Sequence, residues 1–166
     1  ADPQHARPTT YDDWRLESGT LRVDEQAVGL VLLELERGAL RLGQLRADEA
    51  RREDEISKVF SSRLRGQDIL ARWGGEEFMF IFTDTDEAGA VNALENIRDI
   101  LNNAPLNING SEIHVTSSFG VSEVNPDIDI SCAVRRADQA LYYAKDNGRD
   151  CVCEFSALSS PSFSEK

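Results

Sequence analysis

Residues 28–35 (Val-Gly-Leu-Val-Leu-Leu-Glu-Leu) form the first nearly unbroken apolar run, with the length and β-branched content of a buried strand. After it, Leu42, Leu45, Ile56, Val59, Phe60 and Leu64 recur at helical spacing among many charges, which predicts a long amphipathic helix. Two short apolar runs, 68–73 and 77–83, are separated by Gly74-Gly75. That dipeptide supplies the positive φ values of a tight hairpin turn, so the pair reads as a β-hairpin. Asp84 and Thr85 are N-cap candidates for a helix carrying Ala90, Val91, Leu94, Ile97 and Leu101 and ending before Pro105. Residues 113–121 alternate as a strand, interrupted at Gly120. Ser131 opens a further helix with the buried stripe Val134, Ala137, Leu141 and Ala144, and Asn147-Gly148 closes it with left-handed-capable residues. A last strand is predicted over 150–155. Strand, helix, hairpin, helix, strand, helix, strand has too few helices for an all-parallel sheet, so an α+β sandwich with a mixed, largely antiparallel sheet is expected.

Residues 1–27 are polar and weakly patterned, with Pro3, Pro8 and Gly19, and only 10–16 suggests a short helix. They read as a lead-in segment or linker, 28–156 as the domain, and the Ser-rich 157–166 as a disordered tail. With 166 residues, 40% of them hydrophobic, one core is the expectation. Thirty acidic against eighteen basic residues give a net charge of −12, a field that repels polyanions and argues against nucleic acid as a partner. No apolar run approaches the roughly 20 residues of a membrane span.

Cys132, Cys151 and Cys153 contain no CxxC pair, and His5 and His114 lie far apart, so neither a zinc site nor a disulfide framework is expected. Cys151 and Cys153 flank Val152 on one strand face and read as small core residues of a reducing compartment, which points to the cytoplasm. The chain begins at Ala1 and lacks a signal-like start, as a piece of a longer cytoplasmic protein would.

The string Arg72-Trp73-Gly74-Gly75-Glu76-Glu77-Phe78 sets two carboxylates directly after a turn without side chains, where a bulky ligand can approach the backbone. By spacing alone it is also an ordinary solvated hairpin tip. Lys145 and Arg149 equally suit last-turn cations favoured by a helix dipole, and Arg65 with Asp68 suits a common surface pair. The whole string, however, resembles the signature of the GGDEF family, the diguanylate cyclases, in its Gly-Gly-Glu-Glu-Phe variant. Arg65-Gly-Gln-Asp68, Thr116-Ser-Ser-Phe-Gly120 and Ala137-Asp-Gln-Ala-Leu-Tyr-Tyr-Ala-Lys-Asp-Asn-Gly-Arg149 agree with it at the expected places, so the resemblance covers about residues 28–155.

The resemblance implies a cyclase-type (ferredoxin-like, palm) α+β fold in which two protomers each hold one GTP and join them into cyclic di-GMP, a bacterial signal. A homodimer and Mg²⁺ follow from that chemistry, because polarising a phosphate and acidifying a ribose 3′-hydroxyl requires a cation held by hard oxygen ligands. In this frame Gly74 and Gly75 form the active-site turn. Glu76 matches the metal-binding carboxylate that also accepts the hydroxyl proton, Glu77 stands beside it, and Lys145 and Arg149 match the cations on the GTP phosphates. Arg65 and Asp68 match the inhibitory RxxD site that binds the product, at its family distance of five residues (69–73) before the turn. An arginine fork suits a guanine edge or a phosphate, and a carboxylate accepts from guanine N1–H and N2–H₂.

Departures from the family concentrate in the first half. Its Asp-x-Asp metal motif is replaced by Glu34-Leu35-Glu36. Glu34 offers the first ligand on a longer stem, although octahedral Mg²⁺ at about 2.1 Å tolerates misplacement poorly. The guanine-reading Asn falls near Arg41 or Leu42, and the guanine-reading Asp near Ala50 or Arg51. Each lost partner costs about 1–3 kcal/mol of binding. The entry motif Leu-Thr-Gly-Leu is absent, with Glu17-Ser-Gly-Thr-Leu21 in its neighbourhood. The expectation is a cyclic di-GMP receptor domain with reduced or no cyclase activity, intact at Arg65 and Asp68. The alternatives are an active cyclase, with Glu34 and Glu76 as Mg²⁺ ligands and product feedback at Arg65/Asp68, and a dimerisation module that binds no nucleotide.

Overall fold

The computed structural model describes residues 28–36, 45–72, 77–108, 110–125 and 127–159, with backbone alone for 28–36, 45–53, Arg72 and Ile108. The elements are β1 (Val28–Glu36), α1 (Leu45–Ser62), β2 (Ile69–Arg72), β3 (Glu77–Phe82), α2 (Glu87–Asn103), β4 (Leu106–Ile108), β5 (Ser111–Ile113), β6 (Thr116–Val124), α3 (Ile130–Asp146), β7 (Val152–Glu154) and α4 (Phe155–Leu158). The expected helix at 10–16, Leu42, the turn residues Gly74, Gly75 and Glu76, and most of the Ser-rich tail lie outside the described residues.

The five-stranded sheet has the order β2-β3-β1-β6-β7, with β1 in the centre. β1 pairs antiparallel with β3 and β6, β2 pairs antiparallel with β3, and only β6 and β7 run parallel. The result is the mixed, largely antiparallel α+β sandwich that the alternating pattern predicts.

Period-2 alternation divides the sheet into two unlike faces. Phe78, Phe80 and Phe82 of β3, with Phe119 and Val121 of β6, face α1 and α2, where Ile56, Phe60, Leu94, Ile97 and Leu101 complete one core. Phe60 meets Phe78 and Phe80 edge-on at ring separations of 5.4 and 5.1 Å, the arrangement aromatic quadrupoles prefer. On the opposite face Ala71, Met79, Ile81 and Val124 meet Ala133, Ala137 and Leu141 of α3. Small residues let α3 approach closely. At Gly120 an added Cβ would stand 2.1 Å from Ala137 O and 2.3 Å from Leu141 N, so the glycine predicted as an interruption is required by packing. Ser122 Oγ donates to Ala133 O at 2.7 Å across the same seam.

Both central helices start at other residues than expected. Asp86, not Asp84 or Thr85, caps α2: its side chain accepts from Gly89 N at 2.7 Å, while Asp84 adopts φ 49° in the preceding turn. Asp129, not Ser131, caps α3. The predicted strand from 113 begins at Thr116, and the residues before it form the small β4–β5 hairpin. The last strand is shorter than expected and gives way to the single turn α4.

Candidate functional site

Two groups of candidate residues lie at opposite ends of the β2–β3 hairpin. α1 ends in two tight turns, Arg63 N to Phe60 O and Leu64 N to Ser61 O, and Asp68 N then donates to Arg65 O at 3.0 Å. That turn brings Asp68 back beneath Arg65 just before β2. Asp68 is 3% exposed, and its carboxylate is satisfied by one residue. Arg65 N donates to Oδ2 at 2.9 Å, Nε to Oδ2 at 3.3 Å, and Nη2 to Oδ1 at 3.3 Å. Nη2 also donates to Thr83 O at 3.0 Å and to Thr85 Oγ1 at 2.5 Å, so the loop after β3 fixes the guanidinium from the other side. The fork borders a cavity of about 760 Å³ lined by Arg63, Arg65, Asp68, Asp84, Thr85 and Asp86 among others. That volume is in the range of ligand pockets, and its lining offers both a cationic fork and acidic acceptors.

At the other end of the hairpin, strand register places Glu34 directly opposite Glu77 on one side and opposite Ser118 on the other. Directly opposed positions share a face, so these three form one row across β3, β1 and β6. Glu77, the first residue of β3, is exposed. The five strand steps from Glu77 to Phe82 span about 17 Å, which separates this row from the Arg65 pocket.

Lys145 stands half-buried in the last turn of α3. The helix closes in a Schellman motif: Asn147 is the C-cap, Gly148 has φ 106°, and Arg149 N donates to Ala144 O at 3.0 Å. Arg149 (φ 65°) and Asp150 (φ 45°) then remain left-handed. For side-chain-bearing residues this costs about 1–2 kcal/mol each, least for Asp. Asp150 is tied down on every side. Its N–H donates to Ser118 Oγ at 3.1 Å, and Asn102 Nδ2 donates to its two carboxylate oxygens at 3.1 and 3.0 Å. Arg98 Nη1 donates to Asp150 O at 3.2 Å and lies 3.5 Å from Oδ1. The Glu95 carboxylate hydrogen-bonds Arg98 and raises its pKa.

The structure thus brings Glu34, Glu77 and, through Ser118 and Asp150, the backbone of Arg149 to one end of the sheet, and leaves Arg65 and Asp68 at the other. Asp150, Asn102, Arg98 and Ser118 were not legible as a unit, because their contacts span 32 to 52 positions. The only signal was local: Gly148 as a left-handed helix stop, and Ser118 inside the segment 116–120. Glu76, Gly74 and Gly75 lie outside the described residues.

Among the described residues no three His, Cys, Asp or Glu side chains stand together as a metal-binding group. The residue types of the Glu34–Glu77 row, two acidic residues at paired register positions, nevertheless suit the hard-oxygen preference of Mg²⁺. Cys132, Cys151 and Cys153 are reduced thiols outside any disulfide, each half-buried, and burial, with Cys151 beside it, pushes the Cys153 thiol up to about 12. No helix among the described residues is long and apolar enough to cross a membrane.

Comparison with known proteins points the same way. Residues 40–151 match the family model described as diguanylate cyclase, GGDEF domain. Diguanylate cyclase A of Treponema denticola is 39% identical over 100 residues, covering 60% of this chain and 27% of that protein. The chain accordingly spans about a quarter of the length of that curated relative. Among solved structures, the active GGEEF domain of a diguanylate cyclase from Vibrio cholerae superposes with TM-score 0.65 at 26% identity, covering 78% of this chain and 83% of that chain. The GGDEF domain of DgcB from Caulobacter crescentus, solved in complex with c-di-GMP, has the same fold, with TM-score 0.65 at 23% identity, covering 86% of this chain and 82% of that one.

Proposed function

The chain belongs to the GGDEF domain family of the diguanylate cyclases, and on that premise we propose that it is a cyclic di-GMP receptor domain that binds the nucleotide at Arg65 and Asp68, with reduced or absent cyclase activity. The observation that carries this reading is the Arg65 fork, already held by buried Asp68, Thr83 and Thr85 beside the 760 Å³ cavity. A guanidinium fixed before the ligand arrives loses little conformational freedom on binding, so more of each charge-assisted hydrogen bond to a phosphate or guanine edge is realised as affinity. Arg63 adds a second cation to the lining. Bound nucleotide then shifts any equilibrium between arrangements of this domain and its partner by its differential affinity for them. The three half-buried thiols, none in a disulfide, suit the reducing cytoplasm.

Calorimetric titration of the nucleotide-stripped protein with cyclic di-GMP tests the reading. Binding that Arg65→Ala abolishes and Glu76→Ala leaves intact is the expected result. The reverse pattern overturns it.

One observation favours the second reading, an active cyclase acting as a homodimer: strand register sets an acidic residue, Glu34, directly opposite Glu77 despite the altered metal motif. In that reading Glu34 and Glu76 would hold Mg²⁺, with Glu77 beside them, and the ion when bound polarises the α-phosphate and lowers the pKa of the attacking 3′-hydroxyl. Glu76 would accept the hydroxyl proton, and Lys145 and Arg149 would orient the phosphates of GTP. Cyclic di-GMP formation from GTP and magnesium that stops in Glu34→Ala and Glu76→Ala would establish it, and turnover surviving both would remove it.

A further inference from the structure

From the left-handed backbone at Arg149 and Asp150 we infer that Asp150, held by Asn102, Arg98 and Ser118, is a positioning residue that fixes where the Arg149 cation leaves the end of α3. The inference rests on the reading of Arg149 as a phosphate-binding cation. Two consecutive side-chain-bearing residues with positive φ persist only where their surroundings over-determine them, and such outliers concentrate at functional sites. Here the surroundings are explicit. The Schellman bond from Arg149 N to Ala144 O fixes the near side of the residue. On the far side, the Asp150 N–H is fixed by Ser118 Oγ and its carbonyl by Arg98, while Asn102 grips the carboxylate with a single amide nitrogen 3.1 and 3.0 Å from the two oxygens.

Helix stability does not require this outlay. The Schellman motif is complete at Arg149 N, and a chain leaving α3 for β7 needs no left-handed residue beyond Gly148. What Asp150 adds is the direction of the Arg149 Cα–Cβ bond relative to α3, and a link to the register row of Glu34 and Glu77 through Ser118. Two elements that contribute no cation of their own to the phosphate, α2 and β6, thereby set the place of one that does.

The test is equilibrium binding of GTP and of GMP, each with magnesium, to the full chain, read as the ratio of the two dissociation constants. Cyclic di-GMP affinity and melting temperature are measured on the same samples. Asp150→Gly keeps the left-handed backbone accessible but removes the gripped carboxylate, and Asn102→Ala removes the grip alone. Both are expected to lower the preference for GTP over GMP by about tenfold, the worth of one charge-assisted hydrogen bond. Cyclic di-GMP affinity should stay within about twofold, because the Arg65 pocket shares no hydrogen bond with Asp150, and a merely structural role would not produce that split. Arg149→Ala separates the two ways of failing. If it lowers the preference while Asp150→Gly and Asn102→Ala do not, the positioning role is overturned and the phosphate role survives. If it has no effect, or if the unaltered chain shows no preference for GTP over GMP, the phosphate role falls and the positioning role with it.

Discussion

The Arg65 pocket and the Arg149 end of α3 both present an arginine, but they hold it by opposite means. At Arg65 the partners are Asp68, Thr83 and Thr85, all within one hairpin and its flanking turns, and the arginine's own side chain makes the bonds. At Arg149 the backbone is held, by a helix terminus and by a neighbouring aspartate whose partners come from α2 and β6. The first is a local device that forms wherever the hairpin forms. The second exists only when three layers of the domain are in place, so residues far from it in sequence control it.

The comparison breaks most completely at Gly120. Gly120→Val places a side chain against the backbone of α3 and should destabilise the domain by at least about 3 kcal/mol, the upper range of overpacking, read as a lower denaturant midpoint with unchanged slope. A stability within 1 kcal/mol of the original would mean that α3 does not need its close seat on β6. Next in size is a double dissociation. Arg65→Ala should weaken cyclic di-GMP at least about 100-fold and leave GTP binding unchanged, whereas Lys145→Ala should weaken GTP and spare cyclic di-GMP, with effects of about 2–3 kcal/mol in line with losing a charge-assisted contact. If both variants weaken both ligands equally, the two regions are one site.

A smaller effect sharpens the role of α2, which lines the cavity with Gly89 and Ala93 and reaches Asp150 through Arg98 and Asn102. Asp86→Ala removes its N-cap and should cost about 1 kcal/mol, a drop of a few degrees in melting temperature, without changing the preference for GTP over GMP. A last effect is confined to alkaline pH and concerns Cys153, next to the Asp150 segment. Its folded pKa of about 12 lies above the usual 9.0, so between those values the unfolded chain has lost a proton that the folded chain keeps. Stability should therefore fall as pH rises from 9 toward 12, and Cys153→Ser should flatten that slope in denaturant titrations at successive pH values.

What the sequence made legible follows the same division. Arg65 and Asp68 are three positions apart, and their separation from the Gly-Gly turn is itself a sequence quantity, so the pair stands out once the family resemblance supplies the expected distance, while by its own spacing it is a common surface pair. Strands and helices with long apolar patterns were equally readable. The caps were not, since Asp84, Thr85 and Asp86 all carry capping chemistry and only the left-handed turn at Asp84 decides for Asp86. The three-residue strands β4 and β5 are too short to show a period. Nothing local ties Asn102 to Asp150, because an amide in the last turn of a helix and an aspartate before a strand have no distinguishing pattern until the fold sets them 3 Å apart.

The seam between β6 and α3 can also be considered as a matter of descent. Where two side chains meet, a change in one can be answered by a change in the other, and lineages wander through such pairs. At position 120 the atoms that a side chain would meet are the carbonyl of Ala137 and the amide nitrogen of Leu141, which belong to every residue alike. No second mutation can answer a first one there. A side chain at position 120 has to displace the backbone of α3 itself, so the seam holds its spacing by the absence of an atom rather than by a fit between two side chains.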